Sequence, residues 1–577
     1  MPKKYHLYLF LLLVSITTLV YYDSFNNSFV YDDYPFIVEN KAIRKLDMNQ
    51  LISYFTSPDA VSSHEGLSRD VWRPLMTVSF AVDYRLWALQ PRFYHIENTL
   101  LHIGNSILVY IAIFLMLGNT LAAFVASVVF AIHPVQTEAV TWISGRANVL
   151  FLFFFLLSFI FHIRERRKDR GGFDYTNSLV LFLCALLSKE MAIVLPLIFI
   201  LYDAYFYGKK GFKYYVLYYL PFLLISVFYV LARSSVTGGF AQREYWWGGG
   251  LFTNFLMTLK AVAEYIRIIV FPLNLKILYL MPAPASIFTK DMLGAILVLS
   301  GVVAFYLLLR KKKVISFYFL WFFVALIPVY NIVPFKAVMA ERFLYLPLIA
   351  FAAGFGMLFA YINEASGINP RLRTALNFSF VGILIFYGAL TISRNIEWRD
   401  ELTFYMQEAG RSPDDPTAHY NFAFACGKEA KKHAADREMA GRYYALAISE
   451  YKRAIRLKPT SQLAYAGLAN IYNETGYYDE AIKNFKKALA IKENSDLYNN
   501  LAVAYYCQGM YDEALRYCRR ALYLSPGHVN GYINLGNAYL MKKEYGKARA
   551  AWLEAIKLGG SDPAVEARLR SFDGDLR

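Results

Sequence analysis

The sequence predicts an all-α protein in two parts: a polytopic helical membrane domain over residues 1–395 and a solenoid of helix pairs over 396–577. Three observations lead there. Apolar runs of membrane-spanning length recur through the first part, separated by short polar breaks. Near residue 398 the composition turns soluble in character. Beyond that point one motif recurs at intervals of 33 and then 34 residues.

Composition supports the membrane reading. Of 577 residues, 57% are hydrophobic and 17% aromatic, while 18% are charged, which is too apolar for an ordinary soluble chain. The formal net charge is +16. The basic residues cluster between apolar runs, so the excess is a topology signal and no nucleic-acid partner is expected. Cys184, Cys426, Cys507 and Cys518 show neither metal-ligand spacing nor a disulfide framework.

Taken in order, the N-terminal "MPKKYHLYLFLLLVSITTLVYYDSF" has a basic start and one apolar run with no small-residue cleavage site. It predicts an uncleaved signal-anchor and first span over 6–22. The basic clusters at Lys3–Lys4, 164–170, 209–213 and 310–313 are expected on the cytoplasmic side. A cytoplasmic N-terminus then sends the first span out into a long extracytoplasmic loop, residues 23–95. Spans follow near 98–117, 120–133, 147–163, 175–188, 190–207 and 214–232. The run 292–309 must cross inward to reach the basic cluster at 310–313, so the apolar segment 251–271 begins and ends outside. Lys260, Glu264 and Arg267 recur within it at i, i+4 and i+7 and share one helical face. The segment is expected to be a re-entrant or cavity-lining helix. With a final span over 374–393, the reading has eleven spans in the cell (inner) membrane and puts the second part outside the cytoplasm.

In the second part, "YAGLANIYNETGYYDEAIKNFKKAL" begins at Tyr465, "YNNLAVAYYCQGMYDEALRYCRRAL" at Tyr498 and "YINLGNAYLMKKEYGKARAAWLEAI" at Tyr532. Ala481, Ala514 and Ala548 hold a tight-packing position, with Phe485, Cys518 and Trp552 four residues later. An earlier copy carries Ala447, Tyr451 and Pro459 in register, with an insertion between its helices. The pattern resembles the tetratricopeptide repeat. Stacked helix pairs make a concave surface suited to extended peptides, so a protein or peptide partner is expected there. A purely structural role in an assembly is the alternative.

The candidate chemistry begins just after the first span, in "YDDYPFIVEN". Asp32 and Asp33 lie at the outer membrane face among Tyr31, Tyr34, Pro35 and Phe36. A carboxylate there can take the proton from a hydroxyl as its oxygen attacks an activated sugar carbon, with the second carboxylate orienting the first. The outer loops supply charges suited to a phosphate and a sugar: Arg73, His133, Glu138, Arg146, Lys189, Glu190, Arg267, Glu341 and Arg342. Ionisable groups at membrane depth are costly, and cations stabilise a leaving phosphate. Each also reads as a paired structural charge, and His133 beside Pro134 as a loop anchor.

In order along the chain stand "YDDYPFIVENKAI", "WRPLMTVSFAVDY", "FYHIENTLLHIGNSILVY", "FAIHPVQTEAVTWISGRANVL", "LLSKEMAIVLPLIFILYD" and the repeat tail. This set resembles the transmembrane and TPR repeat-containing O-mannosyltransferases, a family of GT-C glycosyltransferases, and the short repeat tail that of a prokaryotic relative. The resemblance implies a GT-C-type membrane domain. It also implies inverting transfer of a sugar, mannose by preference, from a polyprenyl-phosphate carrier to a Ser or Thr hydroxyl. It carries the acidic motif onto Asp32 and Asp33, with Asp32 favoured as the base. No cofactor is expected. A divalent ion held by the acids and Glu138 is the less favoured alternative. A membrane-anchored scaffold and a polymerase of lipid-linked polysaccharide remain rival readings.

Overall fold

A computed structural model describes residues 3–63, 71–168, 172–208, 211–239, 246–277, 279, 281–284, 286–333 and 337–560, with scattered positions from 563 to 569. The basic runs 164–170 and 209–213 fall partly outside the described residues. All regular structure among the described residues is helical. The chain divides into two compact units, Met1–Phe404 and Tyr405–Arg577. The expected boundary at 395/396 lies in the last turn of helix Pro370–Glu397.

Among the described residues of the first unit seven helices are long and apolar enough to cross a membrane, or eight if the bent pair Thr120–Ile132 and Pro134–Val140 is one span. Three shorter apolar helices, Phe173–Ser188, Lys313–Val329 and Leu348–Glu364, complete the set. Each of the nine expected runs with stated bounds falls on one of these elements, while seven or eight helices of spanning length stand against the eleven spans expected, and Leu251–Val270 is not among them. Burial separates their roles. In Ile143–Arg167 72% of the apolar window is buried, against 11% in Lys290–Leu309. The first is a core helix. The second leaves Leu297, Phe305 and Leu308 bare, which suits a helix whose solvent is lipid. Helix Leu348–Glu364 packs on Thr120–Ile132 through small residues. A Cβ on Gly356 would lie 2.2 Å from the Ala122 carbonyl oxygen.

The segment after the first span folds into a cap with its own core. Phe29, Phe36, Ile37, Tyr54, Met76 and Phe80 bury one another and seat on Ile143 and Ala147. Residues 64–70 lie outside the described set.

Among its described residues the second unit contains four helix pairs: Pro416–Lys432 with Arg437–Leu457, Gln462–Glu474 with Tyr478–Ile491, Ser495–Cys507 with Tyr511–Leu524, and Val529–Met541 with Tyr545–Lys557. The insertion in the first pair lengthens its helices, to 17 and 21 residues, against 13 and 14 in the second. Ala447, Ala481, Ala514 and Ala548 are buried where the two helices of a pair meet. Five residues after the first three, a cation stands over a tyrosine of the next repeat: Lys452 over Tyr472, Lys486 over Tyr505 and Arg519 over Tyr539, at 5.6–5.9 Å.

Candidate active site

Asp32 and Asp33 sit on a tight turn after the first span. The Asp33 N–H donates to the Val30 carbonyl at 3.0 Å. Tyr31 has φ of 55°, a left-handed conformation that costs a residue with a Cβ roughly 1–2 kcal/mol. Asp33 is wholly buried. Its Oδ2 accepts the Val30 N–H at 3.0 Å, and its Oδ1 accepts the Ser144 N–H at 2.8 Å and the Ser144 hydroxyl at 2.6 Å. Burial pushes its carboxyl up to about 7, even though those three hydrogen bonds favour the charged form. Asp32 is half-buried, and its charge acts on Arg342. One carboxylate is thus committed to the fold while its neighbour remains at the surface of the site.

Ser144 comes from the loop between helices Thr120–Ile132 and Arg146–Lys168, every residue of which is buried. Its tightness requires glycine at 145, where a Cβ would meet the Ala139 and Glu138 carbonyl oxygens at 2.6 and 2.8 Å. Asn98 pins the loop from outside, donating to the carbonyls of Val140, Trp142 and Ile143 at 3.1–3.2 Å. The loop and the first residue of the helix that follows it present two charges. Glu138 accepts the Arg342 N–H at 2.7 Å and pairs with its guanidinium. Arg146 is buried against Asp83 at 2.9 Å and Glu97 at 3.3 Å, and it also bonds Asn98 and the Tyr94 carbonyl. Burial pushes the Asp83 carboxyl up to about 8, with Arg146 pulling the other way.

A second polar step lies between helices Phe173–Ser188 and Leu195–Tyr202. Glu190 takes a two-point bond from Arg73, at 2.8 and 3.2 Å. Lys189 is buried, donates to Asn148, and stands over Phe151 and Phe343 at 5.8 and 5.5 Å. Arg342 stands over Phe343 and Trp142 at 5.2 and 5.5 Å. Burial pushes Lys189 well below the usual lysine range; the charges of Arg73 and Arg342 push the same way, and those of Glu190 and Glu138 oppose it. The fold therefore gathers Asp32, Arg73, Glu138, Lys189, Glu190 and Arg342 into one cluster from five separate stretches of chain.

The remaining predicted residues lie apart. His133 is an anchor at the 55° bend: its Nε2 is 2.9 Å from the Ile269 carbonyl oxygen, and its ring packs on Tyr387 and Phe351. Glu341 is buried, accepts the Tyr279 hydroxyl at 2.8 Å and faces Arg394 at 3.5 Å. Arg267 pairs with Glu264 at 2.6 Å. With Lys260, Lys276, Tyr279 and Asp291 they line a cavity of about 580 Å³ between Leu251–Val270 and Lys290–Leu309. The next turns of the same two helices, through Val270, Val302, Phe305 and Leu309, line an apolar cavity of about 950 Å³. Among the described residues no three His, Cys, Asp or Glu side chains group as metal ligands.

Two stretches match repeat families, described as Tetratricopeptide repeat over 495–528 and TPR repeat over 469–509. Beyond the repeats, the chain is 26% identical over 452 residues to "Protein O-mannosyl-transferase F38B6.6" of Caenorhabditis elegans, covering 73% of this chain and 61% of that one. It is 23% identical over 613 residues to "Protein O-mannosyl-transferase TMTC3" of Homo sapiens, covering 95% and 64%. To "Protein O-mannosyl-transferase TMTC1" of Homo sapiens it is 26% identical over 531 residues, covering 80% and 57%. The chain is a homologue of the transmembrane and tetratricopeptide-repeat O-mannosyltransferases. It spans between 57% and 64% of the length of these three relatives.

Several residues that build this site gave no signal in the sequence. Ser144 is a lone serine, 111 residues from the aspartate it anchors. Asp83, Glu97 and Asn98 sit on two different helices and converge on Arg146 only in the folded cap. Tyr279 is one of 46 tyrosines. The spacing of Lys260, Glu264 and Arg267 was the one local pattern that pointed to a cavity, and all three line it.

Proposed function

We propose that this protein is an integral-membrane, inverting glycosyltransferase. It moves a mannosyl-type sugar from a polyprenyl-phosphate carrier to a Ser or Thr hydroxyl of a protein, on the extracytoplasmic side of the cell membrane. One observation carries the assignment of roles: Asp33 is sealed against Ser144 and Val30, while Asp32 beside it is half-buried and its charge acts on Arg342. Asp32 takes the acceptor hydroxyl proton as that oxygen attacks the sugar C1 from the face opposite the phosphate. The C1–O bond to phosphate breaks, and the carrier phosphate leaves with the bonding pair. Arg342 supplies the positive field for the phosphate as its charge grows, whereas burial holds Lys189 well below the usual lysine range and so disfavours its charged form. Glu138 holds Arg342 in place, and Asn148 accepts a hydrogen bond from Lys189. The polar cavity beside Arg267 suits the carrier phosphate on approach, and the apolar cavity beyond it suits the polyprenyl chain. The repeat unit is the proposed holder of the protein acceptor.

The test is sugar transfer in purified membranes supplied with labelled polyprenyl-phosphate mannose, with endogenous proteins as acceptors. Asp32→Asn is expected to lower transfer by about 10²–10⁴-fold at matched protein level. Full transfer by Asp32→Asn would remove Asp32 as the base. No transfer by the wild type, with mannose and glucose carriers both tried, would count against the activity itself.

A further inference from the structure

The segment after the last long helix is built into the candidate active site. Helix Pro370–Glu397 ends at Trp398, and Asn395 in its final turn is fully committed. Its side-chain N–H donates to the Val20 carbonyl at 2.9 Å, its side-chain oxygen accepts the Thr141 hydroxyl at 2.6 Å, and its main-chain carbonyl accepts from Asn27 at 3.0 Å. The Ser28 N–H donates to the Arg399 carbonyl at 2.8 Å. Trp398 packs on Trp142 at 6.1 Å and on Phe404 at 4.7 Å. Phe404 is 2% exposed and stacks on Tyr31 with ring centres 6.0 Å apart.

Residues 28 and 31 are therefore held by 399–404, and residue 33 is held by Ser144. Asp32 lies between the two anchors. Tyr31 holds a positive φ, which a tyrosine keeps only where its surroundings impose it. We propose that Phe404 is a positioning residue for Asp32: its ring holds Tyr31 in the left-handed conformation that sets the carboxylate toward the acceptor. The segment between the last span and the repeat unit is then part of the active site as well as a connection. This rests on the reading of Asp32 as the general base.

The experiment is a double-mutant cycle in the full-length protein, reading initial transfer rates in membranes against polyprenyl-phosphate mannose concentration. Phe404→Ala is expected to lower the apparent kcat by about 10–100-fold with little change in KM for the donor, the signature of a misplaced base. The same substitution is then made in a Tyr31→Gly background. Glycine takes positive φ freely, so there the loss from Phe404→Ala is expected to shrink to about twofold or less, a coupling that independent sites do not show. An equal loss in both backgrounds, or a wild-type kcat in Phe404→Ala, overturns the proposal. Should Phe404→Ala not fold, Phe404→Leu enters the same cycle with the same criteria. Asp32→Asn runs alongside. If it is active, the base reading falls and this proposal with it. If it is inactive while Phe404→Ala matches wild type, only the positioning role falls.

Discussion

Asp33 loses all contact with water on folding and gains three hydrogen bonds, two of them from Ser144. The desolvation outweighs the bonds, so its carboxyl rises from 3.8 to about 7. The folded state then holds this proton more tightly than the unfolded chain does. The stability it contributes is complete below about pH 4 and is lost as pH rises through about 7. Activity should run the other way, because the ionised carboxylate is the better acceptor for the three donors that set the turn. We expect the transfer rate to rise with pH through about 7 in the wild type, and to be lower and flat across that range in Asp33→Asn. A profile whose acid limb lies near pH 4 in both proteins would show that Asp33 does not control the turn. The pair itself was legible in the sequence from its place after the first span. The division of roles was not, because it depends on a serine 111 residues away.

The buried loop between Thr120–Ile132 and Arg146–Lys168 is the element that joins the site together, through Glu138, Ser144 and Arg146. Arg146 was readable as a membrane-depth cation and so as a phosphate ligand. In the structure its guanidinium is taken up by Asp83, Glu97, Asn98 and Tyr94, and it ties the cap to the core. Residue type reveals that a charge is present; only the packing reveals which partner satisfies it. Arg146→Met is expected to cost roughly 1–3 kcal/mol by leaving the buried polar atoms of Asp83 and Asn98 without their partner. Adding Asp83→Leu should return much of that loss. Thermal unfolding in detergent measures both, and an additive double mutant would show that the pair is not coupled. At Gly145 the limit is contact: Gly145→Ala would put a methyl 2.6 Å from the Ala139 carbonyl oxygen and should destabilise by about 1–3 kcal/mol.

At the scale of the whole molecule the two units answer to different solvents. The repeat unit is held by small residues under bulky neighbours, so its weak points are local. A Cβ on Gly467 would lie 2.4 Å from the Tyr451 ring, and one on Gly536 would lie 2.4 Å from the Trp552 indole. Gly536→Ala is expected to loosen the last two repeats, raising proteolysis there while the membrane unit stays intact, since repeat arrays are stabilised between nearest neighbours. Uniform proteolysis along the chain would contradict this. Cys507 is the exposed one of the four cysteines, which makes it a native probe of the proposed topology. A membrane-impermeant maleimide should label it in right-side-out vesicles and fail to label Cys507→Ser. Labelling in inside-out vesicles alone would reverse the assigned orientation.

By itself the sequence determined the class of the molecule: all-α, apolar helices of spanning length, then a tetratricopeptide tail with its period and its small packing positions. Those features are local or periodic, and periodicity survives in one dimension. It also located the acidic pair and the cavity-facing side of 251–271, because residues a helical turn apart share a face before any tertiary contact forms. Tertiary structure alone decided which aspartate is sealed, which cations share a cluster and which are tied up in the cap, and that Phe404 stacks on Tyr31. These are long-range pairings between single residues. Burial sets their energies, and burial is a property of the assembled fold that no stretch of sequence carries on its own.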